Sequence, residues 1–507
     1  MAFVTRSLEF INGLDRPSPA LQKVLISLFM VAIGAVLGAL LTSSREVVLL
    51  TFSVLVFLVI LPLIVGRPLN GLLLLLFFTP FIEQWVEIPM GAGLPDLSFS
   101  RLVVAFVTIF MLARAATGKF RFAGPLSFTE VCIIATTLGI MLSAFISENP
   151  NQVIQQTITR HFVPLYTFFL ARHLVRSKAD LHRVFWTISL FGAVAAIYAV
   201  YETFTGHILF YAKELNVTEL RTELTEDLYL LRGLLGLAAN FGRVFLVSIP
   251  LSFYLFFEDK RLNRRALLML LLMVQFYGMF LTYNRTSWYT LMIGLFVMQL
   301  VYPQFRKLYL VLVFVAAIVL FATWNQVNDS AASDRLTERT EDYNGRSPRW
   351  EAAFNMWQAR PVTGWGYGRF EHESGRFRTD GLRENFRAIE NDFLVIMVGS
   401  GLIGFLPYVL FLLAPLVNSI RLFFRVRTPD WPGFIKRETI AVYWVVLLCF
   451  LIGSYSQIQN EAIVKMLPFA VAGAVIGAHQ HLLNASPLKK TIAGAQPSTV
   501  PANAPAE

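Results

Sequence analysis

The sequence predicts an all-α polytopic transmembrane helix bundle of about fourteen spans, twelve being possible, with one large helical loop outside the membrane. Three observations carry this. The 507 residues are 56% hydrophobic and 15% charged, with a mean hydropathy of +0.59, too apolar for a soluble chain of this length. Apolar runs of span length recur along the chain. Lys and Arg gather in alternate connecting loops, as correctly paired spans require.

The residues before Leu21 are polar, carry Arg6 and Arg16 and lack a small-residue cleavage site after the first apolar run, so that run reads as a retained span. Expected spans are 21–43, 47–66, 70–83, 101–116, 128–147, 155–176, 184–204, 234–257, 265–283, 288–302, 307–323, 393–424, 438–456 and 462–481. The short runs 70–83 and 288–302 are needed, because losing either alone inverts every loop downstream. With the N-terminus inside, the inner loops carry Arg67, then Arg114, Lys119 and Arg121, then Arg172, Arg176, Lys178 and Arg183, continuing to Lys436 and Arg437. Lys489 and Lys490 keep the C-terminus inside as well. The opposite loops, such as EQWVEIPMGAGLPDLS and SENPNQ, are acidic or neutral.

This pairing divides the chain into an N-terminal transmembrane region of about eleven spans (1–323), an outer loop (324–390), a C-terminal region of about three spans (391–483) and a tail (484–507). The outer side is the periplasm in a bacterium, and the Ala- and Pro-rich tail is expected to be disordered. Cationic inner loops account for the net charge of +10, so no nucleic-acid partner is implied. Cys132 and Cys449 sit within apolar runs and support neither a disulfide framework nor a thiolate metal site. No outer cluster of Asp, Glu and His has ligand spacing, so neither metal nor cofactor is expected. Nor does an internal repeat suggest an inverted-repeat transporter.

The outer loop is where chemistry is expected. Between Asn325 and Ile389 it holds ten arginines, ten acidic residues and no lysine. That balance fits a small cap laced with ion pairs, while the choice of Arg supplies planar groups that grip phosphate or carboxylate in two-pronged fashion. The spacing Trp350, Phe354, Trp357 gives one apolar face of a helix ended by Pro361. The run GWGYG neither follows a strand nor opens a nucleotide-binding helix, which excludes a dinucleotide site. Asn391 can cap a helix starting at Asp392, and Gly399, Gly401 and Gly404 allow close helix approach.

The run NGRSPRWEAAFNMWQARPVTGWGYGRFE is similar to the signature of the bacterial O-antigen ligase and O-antigen polymerase superfamily, matching it at Gly345, Arg346, Trp350, Pro361, Gly364, Gly366 and Phe370. Upstream, LTYNRTSWYTLMIGL resembles the family's Thr-x-Ser-Arg segment, with Arg285 at the Arg and Asn284 in place of Ser. LRGLLGLAANFGRVFLVSIPL resembles the segment before it, with Arg232 and Asn240. One departure stands out: where the family's ligases carry His-Asn, this chain reads Glu390-Asn391. His372, eighteen positions earlier, is a possible substitute for that His.

The resemblance implies a polyprenyl diphosphate-linked glycan as donor and a hydroxyl of glycan, lipid A core or protein as acceptor. It also implies catalysis at the periplasmic face of a bacterial inner membrane, among membrane lipids. The donor carries its own leaving group, so the protein has to neutralise the diphosphate and orient or deprotonate the acceptor. Arg346 and Arg285 suit the first task, against the alternatives of a salt bridge with Glu341, Asp342 or Glu351 and of an interfacial arginine. Glu390 suits the second, against a helix cap or a pair with Arg387. Arg160 lies inside the sixth span, where a charge faces a cavity or a partner. Arg232, Asn240, Arg243, Arg349, Trp350, His372 and Asn391 complete the candidate substrate-binding set. The missing His and the span count favour a polymerase of repeat units over a ligase.

Overall fold

The computed structural model describes residues 61–83, 87–88, 97–147, 150–209, 231–322, 340–426, 433–457 and 461–485, except residue 62. Expected span 21–43, most of 47–66 and the tail beyond Ala485 lie outside these residues. Apart from a two-residue antiparallel pair, β1 (Glu87–Ile88) with β2 (Leu97–Ser98), the described elements are helical.

From 70–83 onward, each expected span has a helix beneath it. The order begins with α1 (Pro68–Ile82), α2 (Phe99–Ala116), α3 (Phe128–Ala144), α4 (Pro150–Thr157), a π-turn (Ile158–Phe162) and α5 (Val163–Leu174). It continues with α6 (Lys178–Thr205), α7 (Ala238–Glu258), α8 (Leu262–Leu281), α9 (Arg285–Val301) and α10 (Pro303–Ala322). The loop contributes α11 (Thr340–Ala359), α12 (Phe370–Glu373) and a 3-10 turn (Ser374–Phe377), before α13 (Asp392–Arg425), α14 (Arg437–Ser456) and α15 (Ala462–Ala485). Among the described residues, α2, α6, α7, α8, α13, α14 and α15 are long and apolar enough to cross a membrane, and α1 and α3 are apolar but shorter. The protein is an all-α, multi-pass membrane protein.

Packing follows residue size. α15 is enclosed almost all round and lies along α5, an approach that Gly473 and Gly477 allow, since a Cβ there would meet Phe168 O at 2.3 Å and Arg172 O at 2.0 Å. α13 runs along α3 at Gly139, where a Cβ would stand 2.8 Å from the Cα of Gly404. Leucine, isoleucine and methionine side chains such as Ile109, Met273 and Leu406 point outward, as lipid-facing surfaces do.

Two expectations are corrected, one at the end away from the loop and one in the loop itself. Arg172, counted among the inner-loop cations, is buried in α5, where Glu130 supplies its counter-charge and Gln480 Oε1 accepts from its Nε at 2.6 Å. The same carboxylate meets His173 Nε2 at 2.9 Å. By contrast, Lys178 and Lys436 stay exposed and flank Glu258 at 3.0 and 2.7 Å. In α11 the buried stripe is Ala352, Ala353 and Met356, with Trp350 and Trp357 at its edge, while Phe354 is exposed. Small and unbranched residues face inward there because Trp365, Phe370 and Phe377 supply the bulk of the cap's core.

Candidate functional site

α13 is broken where close approach was expected. Gly401 has φ +59 and ψ −160 inside it, a conformation that glycine adopts without steric cost. A break inside an apolar helix strands backbone groups, and each left unmet costs several kcal/mol, about as in lipid. The loop run PVTGWGYG meets them. Trp365 N and Gly366 N donate to Val398 O and Gly399 O at 2.8 and 2.9 Å, and Leu402 N and Ile403 N donate to Pro361 O and Val362 O at 2.9 and 3.2 Å. A Cβ on Gly364 would lie 2.5 Å from Gly401 N, and its φ of +68 also calls for glycine. The glycines of this run therefore let one backbone enter the gap in another.

Eleven residues before the break, about three helical turns, the chain enters α13 through Glu390, whose φ of +56 is uncommon for a residue with a side chain. Its carboxylate is gripped by two residues of α11. Arg346 Nε lies 3.0 Å from one oxygen and Arg349 Nη1 lies 2.7 Å from the other. Trp350 Nε1 donates to Ile389 O at 2.9 Å and its ring meets that of Tyr455 at 5.1 Å. Asn391 caps α13, its Oδ1 accepting from Phe393 N and Leu394 N at 3.0 and 3.1 Å. The Arg-rich motif and the Glu-Asn pair thus form one structure, with Glu390 paired to Arg346 and Arg349 in place of Arg387.

Beneath this turn lies a buried polar group. Lys465, in the first turn of α15, reaches Asp392 Oδ1 and Oδ2 at 3.0 and 2.9 Å. Both residues are 2% exposed. Lys465 also feels the charges of Arg160 and Arg243. Arg160 and His161 ride on the π-turn, a rare geometry frequent at functional sites. His161 is buried, with Tyr367 of the loop at 5.4 Å ring to ring. Arg243 is buried, donating to Asn240 Oδ1 and Gly453 O, both at 3.2 Å.

The remaining candidates fall around this end of the bundle. Arg285 is half-buried at the first position of α9, beside α7, where Ser287 fits against Gly242. Arg232 and Gly233 donate their backbone N–H groups to Glu202 Oε1 at 2.8 and 3.1 Å. His372 stands apart, exposed on the cap, its carbonyl accepting from Asn385. Lys465, Asp392 and Tyr367 were missed. The available signal for Lys465 was one charge in the otherwise apolar run AIVKMLPFA; Asp392 was read only as a helix start. Among the described residues no group of His, Cys, Asp and Glu could hold a metal ion.

Residues 266–409 match the family model described as O-Antigen ligase. That segment runs from α8 into α13 and contains Arg285, the Arg346–Glu390–Arg349 cluster and the break at Gly401, while Arg160, Arg243 and Lys465 lie outside it. No curated protein matches the chain.

Proposed function

We propose, for a chain whose residues 266–409 match the family model described as O-Antigen ligase, that it polymerises surface polysaccharide or O-antigen repeat units carried on polyprenyl diphosphate, at the periplasmic face of the bacterial inner membrane. The observation that carries this reading is the joining of Arg346 and Arg349 to Glu390 where the loop meets α13. The acceptor hydroxyl oxygen attacks the anomeric carbon, the bond from that carbon to the diphosphate breaks, and polyprenyl diphosphate leaves. The hydroxyl proton passes to the Glu390 carboxylate. Arg346, Arg349 and Arg285 hold the leaving charge; Arg160, Arg232, Asn240 and Arg243 line the approach.

The geometry supports an order of events. An ionised carboxylate has only acceptor sites, and both oxygens of Glu390 are engaged by guanidinium groups. A diphosphate offers more charge and more acceptor oxygens to the same forks. Donor binding therefore draws the arginines from Glu390 and leaves its carboxylate open to the acceptor, so the donor binds first.

A ligase moving finished glycan to lipid A core or to protein is the second reading. Glu390 at the position of the ligases' His favours the polymerase. Deleting the gene and resolving surface glycan by gel separates them. Acceptors capped with a single repeat unit are expected; bare acceptors with long lipid-linked chains point to the ligase, and unchanged glycan overturns both.

A further inference from the structure

Lys465 and Asp392 take no part in the chemistry above, yet they form a two-pronged ion pair that is 2% exposed on either side. Stability explains such a pair poorly. Withdrawing two charges from water costs about as much as their attraction returns, and apolar residues of similar volume often serve as well. Position explains it better. The nine residues Asp392–Ser400 form a half-helix between the break at Gly401 and the Glu390 turn.

At ~1.5 Å per residue that half-helix is about 13 Å long. A rocking of roughly 5° about the break moves its tip by about 1 Å, a displacement that can cost about 10²-fold in rate. On one side the tip is held by the surface helix α11, through Arg346, Arg349 and Trp350. During the reaction the two arginines turn to the donor. The ties that persist are the Trp350 hydrogen bond to Ile389 O, from that surface helix, and Asp392 to Lys465 on α15, the most enclosed of the spanning helices among the described residues. Positive φ at Glu390 points the same way, since a strained residue persists where its surroundings over-determine it.

We infer that Lys465, through Asp392, is a positioning residue that keeps the Glu390 carboxylate at its working place once the arginines have left it. This rests on the proposed role of Glu390 and adds two residues from outside the family-matched segment's arginine motif, one of them beyond that segment altogether.

The test uses the full-length purified protein acting on glycolipid extracted from membranes of cells that lack it, with release of polyprenyl diphosphate as the readout. The double variant Lys465→Met with Asp392→Leu replaces the pair by apolar groups. It is expected to accumulate and melt like the wild type, with kcat about 10²-fold lower and donor KM within about twofold. Lys465→Arg, which keeps the pair, is expected to retain the rate within about tenfold. In a Glu390→Gln background the double variant is expected to cause no further loss, because it acts through Glu390. A folded double variant with the wild-type rate overturns the inference, as do losses that multiply in the Glu390→Gln background. Failure of the double variant to accumulate also overturns it, by making the pair a folding requirement. Full activity of Glu390→Gln alone overturns the reading of Glu390 itself, a result distinct from an inactive Glu390→Gln beside an active double variant.

Discussion

Glu390 occupies a left-handed conformation and is held by two guanidinium groups from one face of α11. If that were only a surface ion pair, its removal would cost about 1 kcal/mol or less and leave turnover untouched. As base and diphosphate clamp, the same atoms behave differently. Glu390→Gln keeps the shape and is expected to lower kcat by roughly 10²–10⁴-fold, the range for a positioned acid or base. Arg346→Lys keeps the charge and loses the planar fork. It is expected to raise donor KM by about tenfold or more, because one good charge-assisted contact contributes about 1.5–3 kcal/mol. Single-turnover kinetics on extracted glycolipid would check both, and wild-type values in either variant would sink the corresponding role.

The insertion of PVTGWGYG into the gap of α13 explains why glycines recur on both strands of this contact. At Gly401 a Cβ would stand 2.3 Å from Val362 O, and the φ of +59 adds strain. Gly401→Ala is therefore expected to destabilise by more than about 3 kcal/mol, since left-handed strain of about 1–3 kcal/mol adds to a backbone clash. Gly368 has φ +85, and a methyl added there would have nothing within 4 Å, so Gly368→Ala carries strain alone, about 1–3 kcal/mol. Melting of the detergent-solubilised variants should show Gly401→Ala as the worse; equal losses would contradict the plug. On the cap surface, Arg378 holds the Asp380 carboxyl below its ordinary value, and Asp380 Oδ1 also accepts from Leu382 N at 3.2 Å. Because the folded value is the lower one, this contribution is present above the ordinary aspartate value of about 3.9 and is lost as pH falls through the folded value. Hydrogen-exchange protection of residues 378–386, corrected for intrinsic rates, should be flat from about pH 5 upward and weaken only in acid.

For the whole molecule, the proposed orientation puts the cap in the periplasm and the Lys178–Glu258–Lys436 cluster in the cytoplasm. Leu382 is 56% exposed at the cap surface, and the two native cysteines are buried, so a single cysteine at Leu382→Cys has a quiet background. A membrane-impermeant maleimide should label it in intact spheroplasts; labelling only after lysis reverses the topology. The fold class was legible in the sequence because lipid imposes a local rule, long apolar runs with cations at alternate ends. The Arg346 motif and Asn391 as a cap were legible for a similar reason, each depending on residues within one turn or loop. Tertiary structure alone decided that Glu390 meets Arg346 and Arg349, that Gly401 opens a helix instead of tightening a contact, that Arg172 is a buried ion and that Lys465 reaches Asp392 across 73 positions. Each of these depends on which helices become neighbours, and a charge or a broken backbone inside an apolar bundle takes its meaning from the partner that packing brings to it.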